Sequence, residues 1–412
     1  MSSSFEQVAN KIEQLETEAV DLMKQLIPIK ALSPLSGGEG EADKAEFLKK
    51  YLKSIGFKEV KNYPAKDPDA KTGERPNLVA VLPGEDTGRT VWILAHLDVV
   101  PEGDLSKWDT NPFEAVVKDG KIYGRGTEDN HQGLVSGIIA AKAFLDSGVK
   151  PKVNLGLMLV ADEETGSVYG LQHMVDHHAD LFGKDDLIIV PDAGEPDGSM
   201  IEVAEKSILW LKFKTQGKQV HASMPDRGIN AFKAASHLVV KLGDLYRIYD
   251  KKDEVFDPPI STFEPTKKEA NVPNVNTIPG DDVFYLDCRI LPDYTIEEVM
   301  ATVRGMADEI EKEFQVKIEI SSEQEEQAAP ATPVDAPVVT ALKQAVKEVY
   351  HIDARPMGIG GGTVAAIFRR AGFPAAVWST LDDLAHQPNE YCKISNLIND
   401  AKVFAHVALQ SR

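Results

Sequence analysis

Apolar residues recur every three and four positions over residues 5–26 and predict an amphipathic first helix. The same spacing over residues 42–55 predicts a second helix, which stops at Gly56. Beyond that glycine the texture changes to short apolar runs at residues 78–82, 91–97, 153–161 and 187–190, with helical stretches such as 133–145 between them. Strands alternating with helices are the pattern of an α/β sheet whose faces are covered by helices. Asp119-Gly120 marks a tight hairpin within this region.

After Glu205 the period changes again. Strands over 208–215, 283–291 and 316–320 and helices over 231–249 and 296–314 predict a small, largely antiparallel sheet carrying two helices. Residues 328–337, AAPATPVDAP, read as a linker. A helix over 338–350, a glycine loop at 358–362, a helix over 364–371 and a strand over 375–378 then restore the first texture. The expected layout is a first domain formed by residues 1–206 and 323–412, interrupted by a second at 207–322.

A chain of 412 residues is long enough for two such cores. Its formal net charge of -20 repels nucleic acid and anionic membrane, and leaves small molecules or metal ions as the expected partners. Cys288 and Cys392 are too few for a disulfide framework and lack metal-ligand spacing, which suits buried thiols in a reducing compartment. The N-terminal stretch is studded with glutamates, and no apolar run approaches the roughly 20 residues that span a bilayer. A cytoplasmic protein is expected.

The candidate chemistry lies where the predicted strands end. In VWILAHLDVVP a strand delivers His96 and Asp98, two positions apart and so on one face, where Asp98 could orient the imidazole. Asp129, in YGRGTEDNHQG, sits just before a helix. The strand over 153–161 runs into Asp162-Glu163-Glu164, and DDLIIVPDAGEP ends in Asp192. Each acidic loop alone reads as a solvated turn. Together they would repel one another without a cation, and open α/β sheets gather ligands at the carboxyl ends of their strands. With His386 in DDLAHQPNE, two histidines and several carboxylates suit zinc, with cobalt or manganese as substitutes.

These segments resemble the di-zinc family of acetylornithine deacetylase, succinyl-diaminopimelate desuccinylase, aminoacylase and glutamate carboxypeptidase, over nearly the whole chain. The resemblance implies an α/β fold with a zinc-peptidase-like catalytic domain, a mixed sheet flanked by helices, interrupted by a smaller α+β lid that mediates dimerisation. It implies two zinc ions per subunit: His96 and Asp192 on the first, Glu164 and His386 on the second, Asp129 bridging both. Asp98 would orient His96, and Glu163 would be the general base. In the lid, GKQVHASMP resembles the family's histidine loop and makes His221 the oxyanion stabiliser, often acting at the partner subunit's site. NTIPG and DCRILP implicate Asn276 and Arg289 in holding a substrate carboxylate, although Arg289 could instead pair with an acid on its own strand. GIGGGTVAA implicates Gly361, Gly362 and Thr363 in substrate binding.

Two departures concern the substrate. Family members commonly carry Lys-Gly soon after the bridging aspartate, where this chain has Asn130-His131-Gln132-Gly133, and Ser-Asp or Asp after the loop threonine, where it has Val364-Ala365. The implied reaction is amide hydrolysis in a small, carboxylate-bearing N-acyl amino acid, with a dipeptidase or carboxypeptidase as the neighbouring possibility. A metal-binding homologue without turnover is the rival from another class, and the presence of Glu163 disfavours it. His173, His177 and His178 are expected on a solvated helix face, because no further ligand lies nearby in sequence. The GIGGG run lacks the Lys-Ser or Lys-Thr of a phosphate loop.

Overall fold

The computed structural model describes residues 3–410, so residues 1–2 and 411–412 of the first expected domain lie outside it. The chain forms two compact units, one of residues 1–203, 332–356 and 363–412, the other of 204–331 and 357–362. Residues 357–362, assigned by sequence to the first domain, thus belong with the second unit.

In the first unit the strands Leu78–Leu82, Asp86–His96, Val153–Val160 and Leu187–Val190 coincide with the apolar runs. They lie in an eight-stranded mixed sheet in the order Lys61–Asn62, Leu78–Leu82, Val153–Val160, Asp86–His96, Leu187–Val190, Ala375–Val377, Met200–Glu205, Arg355–Ile359. Four neighbours at its centre run parallel: Val153–Val160, Asp86–His96, Leu187–Val190 and Ala375–Val377. Their carboxyl ends therefore emerge along one edge of the sheet. Trp92, Leu94, Met158, Val160, Ile188, Val190 and Val377 form one core on this sheet. Such strands are buried on both faces and read as continuous apolar runs. The hairpin forms between Val116–Lys118 and Lys121–Tyr123, with Asp119 and Gly120 both at positive φ, as a two-residue primed turn requires.

The apolar stripe of residues 5–26 is carried by two helices, Ser3–Gln14 and Glu16–Leu26, joined at Leu15. Phe5, Val8 and Ile12 on one, with Ala19, Leu22 and Leu26 on the other, are all buried. Periodicity reports which face is buried; it does not report that the hydrogen-bond ladder is unbroken.

In the second unit a four-stranded sheet runs in the order Thr262–Lys268, Asp281–Ile290, Ser207–Gln216, Lys317–Glu326, every pairing antiparallel. The helices Ala231–Leu242 and Ile296–Phe314 lie on it, and Leu209, Leu211 and Phe213 pack with Leu238, Val299 and Val303. The helix expected over 231–249 stops at Leu242, before Gly243, and resumes as the short turn Leu245–Ile248. Sequence patterning misses the edge strand Thr262–Lys268, because Phe263 is its one buried residue and no alternation marks it.

Candidate metal centre

All four parallel strands deliver side chains to one cluster. His96 is the last residue of Asp86–His96, Glu163 and Glu164 follow Val153–Val160, Asp192 follows Leu187–Val190, and His386 lies in the loop after Ala375–Val377. Asp129 joins them from the turn Thr127–Gln132 that precedes the helix Gly133–Ser147.

Asp129 lies between the two histidines. Its Oδ1 is 2.8 Å from Nε2 of His96, and its Oδ2 is 3.3 Å from Nε2 of His386. Nε2 of His96 is also 3.5 Å from Asp192, and Nε2 of His386 is 2.9 Å from Glu164. Two triads bring one donor atom from each residue within 4.8 Å of the others: His96, Glu163 and Asp192, and His96, Asp129 and Glu164.

The electrostatics are those of crowded like charges. Burial, then neighbouring Asp192, Glu164 and Asp129, push Glu163 well above the usual carboxylate range. Burial raises Glu164 in the same direction against its bond to His386. Burial opposes charge on Asp129 too, but the hydrogen bonds to His386 and His96 outweigh it and hold its carboxyl low. His386, bonded to Asp129 and Glu164, is raised to about 10. Oε1 of Glu164 is buried without a hydrogen-bond partner. Nitrogen and oxygen donors in surplus anionic charge, with an unanswered buried oxygen among them, fit a divalent cation of the zinc type.

The surrounding residues hold these donors in place, and most of them carry no sequence signal. Asp98, fully buried, accepts the backbone N–H groups of Glu163 and Glu164 at 3.1 and 3.0 Å. Nδ1 of His96 lies 3.0 Å from the backbone carbonyl of Asp98 and 3.4 Å from its carboxylate. The expected side-chain orientation of His96 is therefore shared with a main-chain acceptor. Glu390, also fully buried, accepts from the N–H groups of Gly126, Glu128 and Asp129 at 2.9, 2.9 and 3.1 Å and from Arg125 at 2.7 Å. Glu128 in return accepts the N–H groups of Asp382 and Leu384. The turn carrying Asp129 and the loop carrying His386 are thus clasped by a reciprocal pair of carboxylates. Behind Glu163, Arg75 pairs with Glu41, Asp67 and Asp162, all four groups buried. Arg125 lies over the ring of Trp108, which is buried with Phe113 in the segment WDTNPF.

No lysine stands among Asn130-His131-Gln132-Gly133 directly after Asp129, yet an ammonium arrives from elsewhere. Lys44, on the helix Ala42–Ser54, is buried with its Nζ 2.9 Å from Nε2 of His131. Burial lowers it to about 7 against the pull of Asp98, Glu41 and Glu390.

The other candidates lie mostly in the second unit. His221 is exposed on the short strand Val220–His221, with Nδ1 2.8 Å from the hydroxyl of Ser223. Asn276 is exposed and accepts the N–H of Ala222 on its backbone carbonyl. Arg289 is engaged: Asp287, on its own strand, accepts from it at 2.8 and 3.1 Å, and the carbonyl of Gly360 accepts at 2.8 Å. Gly361 and Gly362 follow in the same unit, and Thr363 belongs to the first.

Histidines and carboxylates that converge at the carboxyl ends of the four parallel strands define a metal-binding protein of the α/β class. The chain belongs to the peptidase family M20/M25/M40, whose model matches residues 92–410. It is a metal-dependent amidohydrolase of that family, whose members act on small amide or peptide substrates. It is 45% identical over 406 residues to an uncharacterized metallohydrolase of Methanocaldococcus jannaschii, covering 95% of this chain and 98% of that one. A succinyl-diaminopimelate desuccinylase of a Sulfurovum species is 27% identical, covering 93% and 96%. The fold is shared with a di-peptidase from Saccharomyces cerevisiae (TM-score 0.69, 20% identity, 99% and 98% covered). It is shared equally with an M20 family metallo-carboxypeptidase from Sulfolobus solfataricus (TM-score 0.68, 20% identity, 95% and 99% covered). No helix among the described residues is long and apolar enough to cross a membrane.

Proposed function

We propose that the protein hydrolyses the amide bond of a small, carboxylate-bearing N-acyl amino acid and uses two zinc ions per chain. The observation that carries this reading is the position of Asp129, with one carboxylate oxygen toward His96 and the other toward His386. His96 and Asp192 would hold one ion, Glu164 and His386 the other, and Asp129 both. Bound there, zinc supplies Lewis acidity that polarises the scissile carbonyl and acidifies the attacking water.

The protein's own groups do the rest. Glu163, whose buried and crowded carboxylate favours the proton, takes one from water and passes it to the leaving nitrogen. His221 donates a hydrogen bond to the oxygen that gains charge. Arg289 suits a bidentate grip on the substrate carboxylate, provided the substrate competes with Asp287 for the guanidinium. Asn276, Gly361, Gly362 and Thr363 complete the substrate contacts.

The assembly is proposed to be a homodimer formed through the second unit. Thr262–Lys268 is an edge strand. Beside it lies a cavity of about 450 Å³ lined by Phe232, Val240 and Phe284. Phe232 and Val240 are 46% and 79% exposed, an apolar face beside an unpaired edge. Cys288 and Cys392 are free and buried, which suits a cytoplasmic location.

The test is a panel of N-acetyl and N-succinyl amino acids and dipeptides, assayed before and after chelation. Hydrolysis of an N-acyl substrate, lost on chelation and restored by zinc, is expected. Turnover confined to dipeptides would move the protein to the peptidase side of its family, and no turnover at all would sink the proposal.

A further inference from the structure

Away from the candidate centre, the helix Leu171–His178 ends in a group of three imidazoles. His173 and His177 lie one turn apart with ring centroids 4.6 Å from each other and planes 30° from parallel. His178 closes the group at 5.6 Å from His173 and 6.4 Å from His177, with its outer face against Tyr63 at 4.6 Å. We propose that His173 and His177 form an auxiliary site for a borderline divalent transition ion such as Ni2+ or Cu2+, with His178 available as a third ligand.

Four observations support it. First, histidines at i and i+4 on a helix share one face, the spacing at which two imidazoles can hold one ion. Second, Nδ1 of His177 is 3.1 Å from the backbone carbonyl of His173. A carbonyl can only accept, so in the neutral ring Nδ1 carries the hydrogen and Nε2 keeps its lone pair. The same bond fixes the ring orientation, as outer partners of metal-bound histidines do. Third, burial and then the neighbouring His177 and His178 hold His173 below its ordinary value. Fourth, His177 and His178 occupy the last turn, where the helix dipole favours positive charge, and the chain's net charge of -20 concentrates cations at its surface.

Among the described residues, three donor atoms converge within 4.8 Å at the candidate centre but not on this helix. The auxiliary site therefore rests on two ligands, His173 and His177, which share one helix face and bring their lone pairs onto one ion by rotation of the rings. His178 joins it by turning its ring away from Tyr63, and the remaining positions stay open to water or an outside ligand. Borderline ions accept imidazole ligation of this kind, whereas magnesium and calcium prefer oxygen.

The test uses untagged, zinc-loaded full-length protein equilibrated with Ni2+ by dialysis, with nickel and zinc counted together by elemental analysis. Wild-type protein is expected to take one nickel beyond the zinc it already holds. His177→Ala should weaken nickel binding at least about tenfold, since even loss of a ligand's partner costs that much, while its zinc content and its hydrolytic rate stay at wild-type values. His177 is exposed, so the variant should fold. Equal nickel uptake by wild type and His177→Ala, or no nickel beyond displaced zinc, would overturn the proposal. The nickel count does not depend on turnover, so it separates this site from the proposed function.

Discussion

The carboxylate of Asp98 accepts the backbone N–H of Glu163 at 3.1 Å. Its second oxygen takes the N–H of Glu164, and its backbone carbonyl faces His96. One buried residue therefore sets the height of the Glu163-Glu164 turn relative to the end of the His96 strand. Asp98→Asn would turn an amide NH2 toward an N–H donor. Zinc affinity is expected to fall about 10- to 100-fold, measured by competition with a chelator, with the circular dichroism spectrum unchanged. An unaltered affinity would remove Asp98 from the positioning role.

Glu163→Ala separates chemistry from metal binding. Turnover should drop by roughly 100- to 10,000-fold, the usual worth of a positioned general base, while bound zinc stays at the wild-type amount. Retained activity would mean that another group moves the proton.

Glu390 tests the clasp. Glu390→Gln leaves Arg125 buried without its carboxylate, and breaking such a pair typically costs about 3–5 kcal/mol. A lower melting temperature is expected, together with weaker zinc binding, because the N–H of Asp129 loses a charged acceptor. A variant that melts and binds zinc as wild type does would show that the turn carrying Asp129 stands without the clasp.

The apolar face of the second unit predicts assembly. Light scattering should give about twice the chain mass of 45.1 kDa for the wild type, and half of that for Phe232→Glu combined with Val240→Glu. A wild-type protein that is monomeric at working concentration would remove the dimer, and with it any role for His221 at a partner's site.

The sequence alone determined the parallel strands and the donors at their ends. Runs such as VWILAH and LIIV are buried on both faces, and the histidine or carboxylate that follows each is placed by the strand itself. Only the tertiary structure decided what lies around those donors. Glu390 and Glu128 stand 262 positions apart, and in sequence each looks like any surface acid of a chain rich in them; burial and convergent N–H donors give them their place. Lys44 and Arg75 are likewise ordinary until the fold removes them from water and sets an imidazole beside the one and three carboxylates beside the other. Arg289 shows the opposite case, for its sequence left both a substrate clamp and a pairing along its own strand open, and strand pleating set Asp287 on the same face to claim it. Periodicity encodes which face of an element meets the core, whereas the pairing of single polar groups over hundreds of residues exists only once the core has formed.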